Sequence, residues 1–152
     1  MADMLVRLYD LPPLQPALQP LEDRGIRVRR LAPYEQSATL AWLRAHFPGW
    51  AAEVEVAFTR RPVTCFGALR GQRVLGFAAY DATCLNFFGP TGVLERERGG
   101  GIGRALLLAT LHAQHEQGYA YAIIGGVGPA EFYRRLVDAQ PIANSTPGIY
   151  VQ

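Results

Sequence analysis

One run constrains this chain more than any other: Arg98-Gly99-Gly100-Gly101-Ile102-Gly103-Arg104, three consecutive glycines and a fourth two residues on. It opens directly into an apolar stretch with helical spacing. Ile102, Ala105, Leu106, Ala109 and Ala113 fall on one stripe, and Gly118 supplies a C-terminal stop, so a helix is expected over residues 101–117. Val93-Leu94 before the run reads as the end of a strand. A strand that turns through glycines into a helix start collects unpaired backbone N–H groups at one point, with the positive end of the helix dipole behind them. The glycines let that backbone approach an anion without side-chain interference.

Magnitudes rank the parts. The dipole contributes roughly 0.3–1 kcal/mol near a surface. Hydrogen bonds to a charged group contribute about 1.5–3 kcal/mol each. Converging amides therefore dominate over the dipole and over the charge of Arg104. Two phosphate loops are excluded. The P-loop needs G-x-x-x-x-G-K-[ST], and the chain contains no lysine. The dinucleotide pattern G-x-G-x-x-G fails because Arg104 or Leu106 stands at its third glycine. A plain turn without a ligand is the alternative, but three glycines are costly in unfolded-chain entropy.

The rest of the chain sets the context. At 152 residues, 49% apolar, 18% charged and +2 net, it has the balance of a folded domain and no general demand for a nucleic-acid partner. Arg24, Arg27, Arg29 and Arg30 read as a solvated strand face. Cys65 and Cys84 lie in apolar runs and read as buried, reduced thiols. His46, His112 and His115 lack ligand spacing, so no metal is expected. With no signal peptide and no apolar run of about 18 residues, the expected location is the cytoplasm, without a membrane partner.

Strands are expected at Met4 to Tyr9, Ile26 to Leu31, Val63 to Leu69, Val74 to Tyr80, Leu85 to Leu94, Tyr119 to Ile124 and Ile149 to Val151. The strand from Leu85 is interrupted by Gly89-Pro90-Thr91-Gly92, a bulge or splay that frees backbone for other pairing. Helices are expected at Glu35 to Phe47, with Ala38, Ala41, Trp42 and Ala45 inward, and at Trp50 to Thr59. A last one runs from Pro129 to Val137. Leu11 to Pro20, with four prolines, reads as coil rather than core. The pattern gives one α+β (mixed α/β) domain over 1–152, with residues 1–25 as an N-terminal arm.

At this point the sequence resembles a family. Arg98-Gly99-Gly100-Gly101-Ile102-Gly103 is similar to the [QR]-x-x-G-x-[GA] signature of the GNAT superfamily of acyl-CoA-dependent N-acetyltransferases. Val93-Leu94 stands where that family's splayed strand pairs with pantetheine. Phe132-Tyr133 stands where its late helix carries a tyrosine. The stretches Phe87 to Val93 and Tyr121 to Tyr133 resemble a bacterial branch of little-defined substrate. The likeness runs from about Val63 to Val137. The sequence departs from it at Gly126, where many members carry Asn, and at Val137-Asp138-Ala139, where many carry Gly-Phe.

The resemblance implies a mostly antiparallel mixed sheet flanked by helices and splayed before the glycine loop. It implies acetyl-CoA as co-substrate, bound by Gly92, Val93, Leu94, Arg98, Gly99, Gly100, Gly101, Ile102, Gly103, Arg104 and Tyr133. The implied reaction is direct attack of a small-molecule primary amine on the thioester. An amine of pKa about 10.4 is neutral only to roughly one part in 10³ at pH 7, a handicap of about 4–5 kcal/mol. A carboxylate, a water chain or desolvation must remove that proton. Glu53, Glu55 and Asp81 are the carboxylates considered, with Glu53 preferred. Tyr133 is the expected donor to the leaving thiolate. A backbone N–H near Val93 would polarise the thioester oxygen. Trp50, Tyr80 and Phe88 are the expected acceptor-pocket residues. Two other readings stay open: a non-catalytic acyl-CoA-binding sensor or interaction module, and an interaction protein using the proline-rich arm, as in a homodimer.

Overall fold

A computed structural model describes residues 1–150 of the chain. Strand β1 (Met4–Arg7) is followed by helix α1 (Gln15–Glu22), β2 (Ile26–Arg30), α2 (Gln36–His46) and α3 (Ala51–Ala57). Then come β3 (Cys65–Arg70), β4 (Arg73–Tyr80), β5 (Phe87–Val93), α4 (Ile102–Glu116), β6 (Tyr121–Ile124), α5 (Ala130–Val137) and the short β7 (Gln140–Pro141).

The strands form one sheet in the order β2-β3-β4-β5-β6-β1-β7. Every pair is antiparallel except β5 with β6. Helices cover both faces, so the architecture is α+β. On one face α1, α4 and α5 share a core with Met4, Val6, Leu75, Ala78, Ala122 and Ile124. On the other, α2 and α3 pack Leu40, Leu43, Val54 and Ala57 on Cys65, Leu69, Phe77 and Ala79. Helix α4 is buried almost all round, from Ile102 through Leu111, so it is the central helix and its start is fixed by the core.

One junction makes the site. β6 pairs with β5 only at Phe87↔Ile123 and Phe88↔Ile124. Beyond Phe88, β5 keeps its pairing with β4 through Val93 but has no neighbour on its other edge. The Gly-Pro interruption is a bulge: Ala78 pairs with Thr91 while Tyr80 pairs with Phe88, so β5 carries one extra residue there. Its strand is continuous, and the splay begins at this point.

Several expectations are corrected. Leu11 to Pro20 is not an arm outside the core. Most of it is α1, with Ala17 and Leu21 buried and Leu14 and Leu18 packed on the main core. Pro16 is tolerated in the first turn. Pro20 lies inside the helix and costs about 3 kcal/mol. Burying leucines returns about 1.5–3 kcal/mol for each fully covered side chain, which offsets it. The inward face of α2 is Thr39, Leu40 and Leu43, while Ala38, Ala41 and Ala45 are exposed. The alanines satisfied the helical period, but the larger side chains gain more by burial.

The arginines near β2 are not one solvated face. Arg29 pairs with Glu35 at 2.7 Å. Arg30 donates to the Val63 carbonyl at 2.6 Å and to the Tyr80 hydroxyl at 2.9 Å. Cys84 is exposed, whereas Cys65 is buried and its thiol is pushed up to about 12 by desolvation. Ile149 and Tyr150 lie in a turn and coil rather than a strand, because β1 and β7 already occupy that edge of the sheet. Val151, the end of that expected strand, lies outside the described residues. Among the described residues no helix is long and apolar enough to cross a membrane.

Candidate active site

The splay between β5 and β6 opens a cavity of about 900 Å³. A second hollow of about 770 Å³ lies over the glycine loop. Val93, Arg98, Gly103 and Phe132 line both, so the two form one groove running across the start of α4.

The loop end is built from backbone. Gly99 has φ +84° and Gly101 has φ +93°, conformations that favour glycine. Gly101 stands before the first turn of α4 and its carbonyl accepts from Ala105 at 3.1 Å. Among the described residues, the amides from Gly99 to Arg104 have no backbone acceptor outside the helix, as expected for a helix start. Gly99, Gly101, Ile102, Gly103 and Arg104 line the hollow, although the Ile102 side chain itself is buried. Gly100 does not line it. Its carbonyl instead accepts from Arg24 at 3.0 Å, which ties the loop to the end of α1. Arg24 was not foreseen as a support, because nothing local links residues 76 apart.

The middle of the groove is the free edge of β5. Leu94 gives its N–H to the Leu75 carbonyl at 2.9 Å, on the paired edge. Antiparallel alternation therefore turns the N–H groups of Val93 and Thr91 to the open edge. The Val93 carbonyl on that edge accepts from Arg98 Nε at 3.1 Å. Gly92 and Val93 line the cavity. Leu94, expected to contact the ligand, does not: its amide is used and its side chain is 6% exposed in the core.

Tyr133 enters this middle region from α5. It is 6% exposed, packs edge-to-face on Phe88 and Phe132, and lines the cavity. Burial pushes its phenol up to about 12, so the group stays protonated through neutral pH. Phe88, in contact with Tyr133, lines the same cavity and is 3% exposed.

The far end draws on separate segments. Phe47 and Trp50 lie stacked, ring centroids 5.6 Å apart. Glu53 on α3 faces the cavity and accepts a hydrogen bond from the Thr83 hydroxyl. Tyr150 closes the same end. Its phenol is raised by partial burial, then by the negative charges of Glu53 and Asp3. Gly126 lies under the Tyr150 ring, where a Cβ would come within 3.2 Å, and its φ is +55°. Its N–H is taken by Asp3 at 2.9 Å. The place where many members of the resembled family carry Asn is here filled from above by an aromatic ring.

Two expected acceptor-side residues are elsewhere. Tyr80 is fully buried with its hydroxyl held by Arg30, and it does not line the cavity. Asp81, one of the carboxylates considered, is 2% exposed and accepts from the Asn86 amide at 2.7 Å, anchoring the turn before β5. Glu55 is exposed away from the groove. Phe47, Thr83 and Tyr150 were missed, and no local sequence pattern marks them.

No family model matches the chain, and no curated protein sequence matches it. Solved structures do. A GCN5-related glucosamine N-acetyltransferase region of a fungal multi-domain GH3 β-N-acetylglucosaminidase superposes with TM-score 0.76 at 16% identity, over 93% of this chain and 19% of that one. A GCN5-related N-acetyltransferase from Sphaerobacter thermophilus gives 0.66 at 19% identity, over 93% and 48%. A GNAT family acetyltransferase from Brucella melitensis in complex with acetyl-CoA gives 0.55 at 21% identity, over 78% and 88%. The chain thus spans less than half the length of the first two. It has the fold of the GCN5-related N-acetyltransferases.

Proposed function

We propose that the protein is an acetyl-CoA-dependent N-acetyltransferase acting on a small-molecule primary amine. The observation that carries the reading is the continuous groove, with unpaired amides at the α4 start and the open β5 edge leading from them to Tyr133 and Glu53. The amides of Gly99, Gly101 and Gly103 fit a pyrophosphate, with Arg98 and Arg104 beside it. The Thr91 and Val93 edge fits the amide-bearing pantetheine arm as an added strand. Bound there, acetyl-CoA supplies an activated acetyl thioester.

The chain's own residues then divide the work. Val93 N–H, on the open edge of β5, receives the charge that develops on the carbonyl oxygen in this reading. Glu53 holds the incoming ammonium and receives its proton, directly or through water. Tyr133 keeps its phenolic proton at neutral pH and donates it to the departing sulfur. The N–C bond forms and the C–S bond breaks, and the second nitrogen proton returns to the Tyr133 oxygen, giving the N-acetyl amine and the free thiol of CoA.

The test is Tyr133→Phe. Turnover is expected to fall roughly 10²-fold, while acetyl-CoA affinity by calorimetry stays near wild type. Unchanged turnover removes Tyr133 from the chemistry. Wild-type protein that binds acetyl-CoA but acetylates no amine supports a sensor or interaction module instead.

A further inference from the structure

We infer that the acceptor is a primary monoamine carried on an apolar, aromatic body. This rests on the acetyltransferase reading and narrows its substrate class. The inference comes from what the far end of the groove contains and lacks.

Among the described residues Glu53 is the one carboxylate that lines the cavity. Arg98 is the one cationic side chain that lines it, and it is held at the opposite end by the Val93 carbonyl. A single anion accommodates a single ammonium. A polyamine would leave further charges without partners in an apolar site, which is costly. An α-amino acid would bring its carboxylate beside Glu53 with no cationic side chain at this end to receive it.

The remaining wall at this end is aromatic. Phe47 and Trp50 form a stacked pair with Trp50 38% exposed, and Tyr150 lines the same cavity. Such faces take an aromatic ring by stacking and an ammonium by cation–π attraction. Hydroxyls for a sugar are scarce. The Thr83 hydroxyl is committed to Glu53 and that of Thr91 to the Phe77 carbonyl at 2.9 Å, which leaves those of Thr146 and Tyr150 at this end. A polyhydroxylated amine would lose hydrogen bonds to water with few replacements.

The transfer balances as before: the ammonium nitrogen gains the acetyl group and loses two protons, one to Glu53 and one that restores the Tyr133 phenol, whose own proton goes to the CoA sulfur.

The experiment compares four amines on the full chain with acetyl-CoA, read as thiol release: phenethylamine, phenylalanine, spermidine and glucosamine. Phenethylamine is expected to exceed each of the others at least tenfold in kcat/KM. Phenylalanine is the sharpest control, since it adds only a carboxylate to the same body. Trp50→Ala should raise KM for phenethylamine about tenfold with acetyl-CoA affinity unchanged, and Trp50→Phe should restore most of it. Preference for glucosamine or spermidine, equal use of phenylalanine, or no turnover of phenethylamine by protein that binds acetyl-CoA would overturn the inference. Amine binding is also read by tryptophan fluorescence. Failure to bind acetyl-CoA would therefore sink the acetyltransferase reading, while phenethylamine quenching still decides the pocket's preference.

Discussion

The two ends of the groove are made differently. The loop end comes from one stretch, Arg98 to Arg104, and its working atoms are backbone amides held by two left-handed glycines and a buried helix. The acceptor end comes from three places in the chain, the stretch Phe47 to Glu53, Thr83 and Tyr150, and acts through side chains. A backbone site tolerates changes of neighbouring side chains but not a Cβ or a lost positive φ. A side-chain site can be retuned by one substitution. The loop end therefore suits an invariant ligand portion, and the acceptor end suits selection among amines.

The largest expected break of this contrast is Gly101→Val. A β-branched residue at φ +93° is strained, and the displaced amides lose hydrogen bonds of about 1.5–3 kcal/mol each to a charged group. Acetyl-CoA affinity should fall by roughly 10²–10³ in calorimetry, while circular dichroism stays near wild type. An unchanged affinity would mean the pyrophosphate lies elsewhere.

Glu53→Gln tests the other end. Acetyl-CoA affinity should hold while kcat/KM for the amine falls about 10²-fold at pH 7. The deficit should shrink as pH approaches the amine's own pKa, because the free base then forms without help. A constant deficit across that range would assign Glu53 to positioning alone.

Arg24→Ala probes the support under the loop. Loss of the contact to the Gly100 carbonyl should weaken acetyl-CoA binding only about threefold, since the hydrogen bond is exposed. A tenfold or greater loss would show that α1 holds the loop in shape.

The smallest effect concerns stability. The Tyr133 phenol is raised in the folded chain from 10.0 to about 12, so the unfolded chain releases this proton first. The contribution is fully present below pH 10 and is lost as pH rises from about 10 to 12. Thermal melts across that window should show a steeper decline for the wild type than for Tyr133→Phe.

How far the sequence could be read follows from the same contrast. The glycine run, the central helix and the interrupted β5 were legible because each rests on local chemistry: backbone conformation, helical period, a Gly-Pro break. Tyr133 was legible through the family resemblance. Tyr80 was misplaced because its hydroxyl is held by Arg30, fifty residues away, a partner that strand alternation does not reveal. Helix α1 was hidden because its prolines signal a break, whereas docking of Leu21 on the core outweighs them.

By itself, then, the sequence determined the loop that can hold an anion at the start of α4, since those donors are consecutive along the backbone. Only the tertiary structure decided that Trp50 and Glu53 meet Thr83 and Tyr150 at the other end. Their meeting depends on the sheet order, on where β5 parts from β6, and on the chain passing back over Gly126. Long-range packing sets those relations, and no spacing within the sequence encodes them.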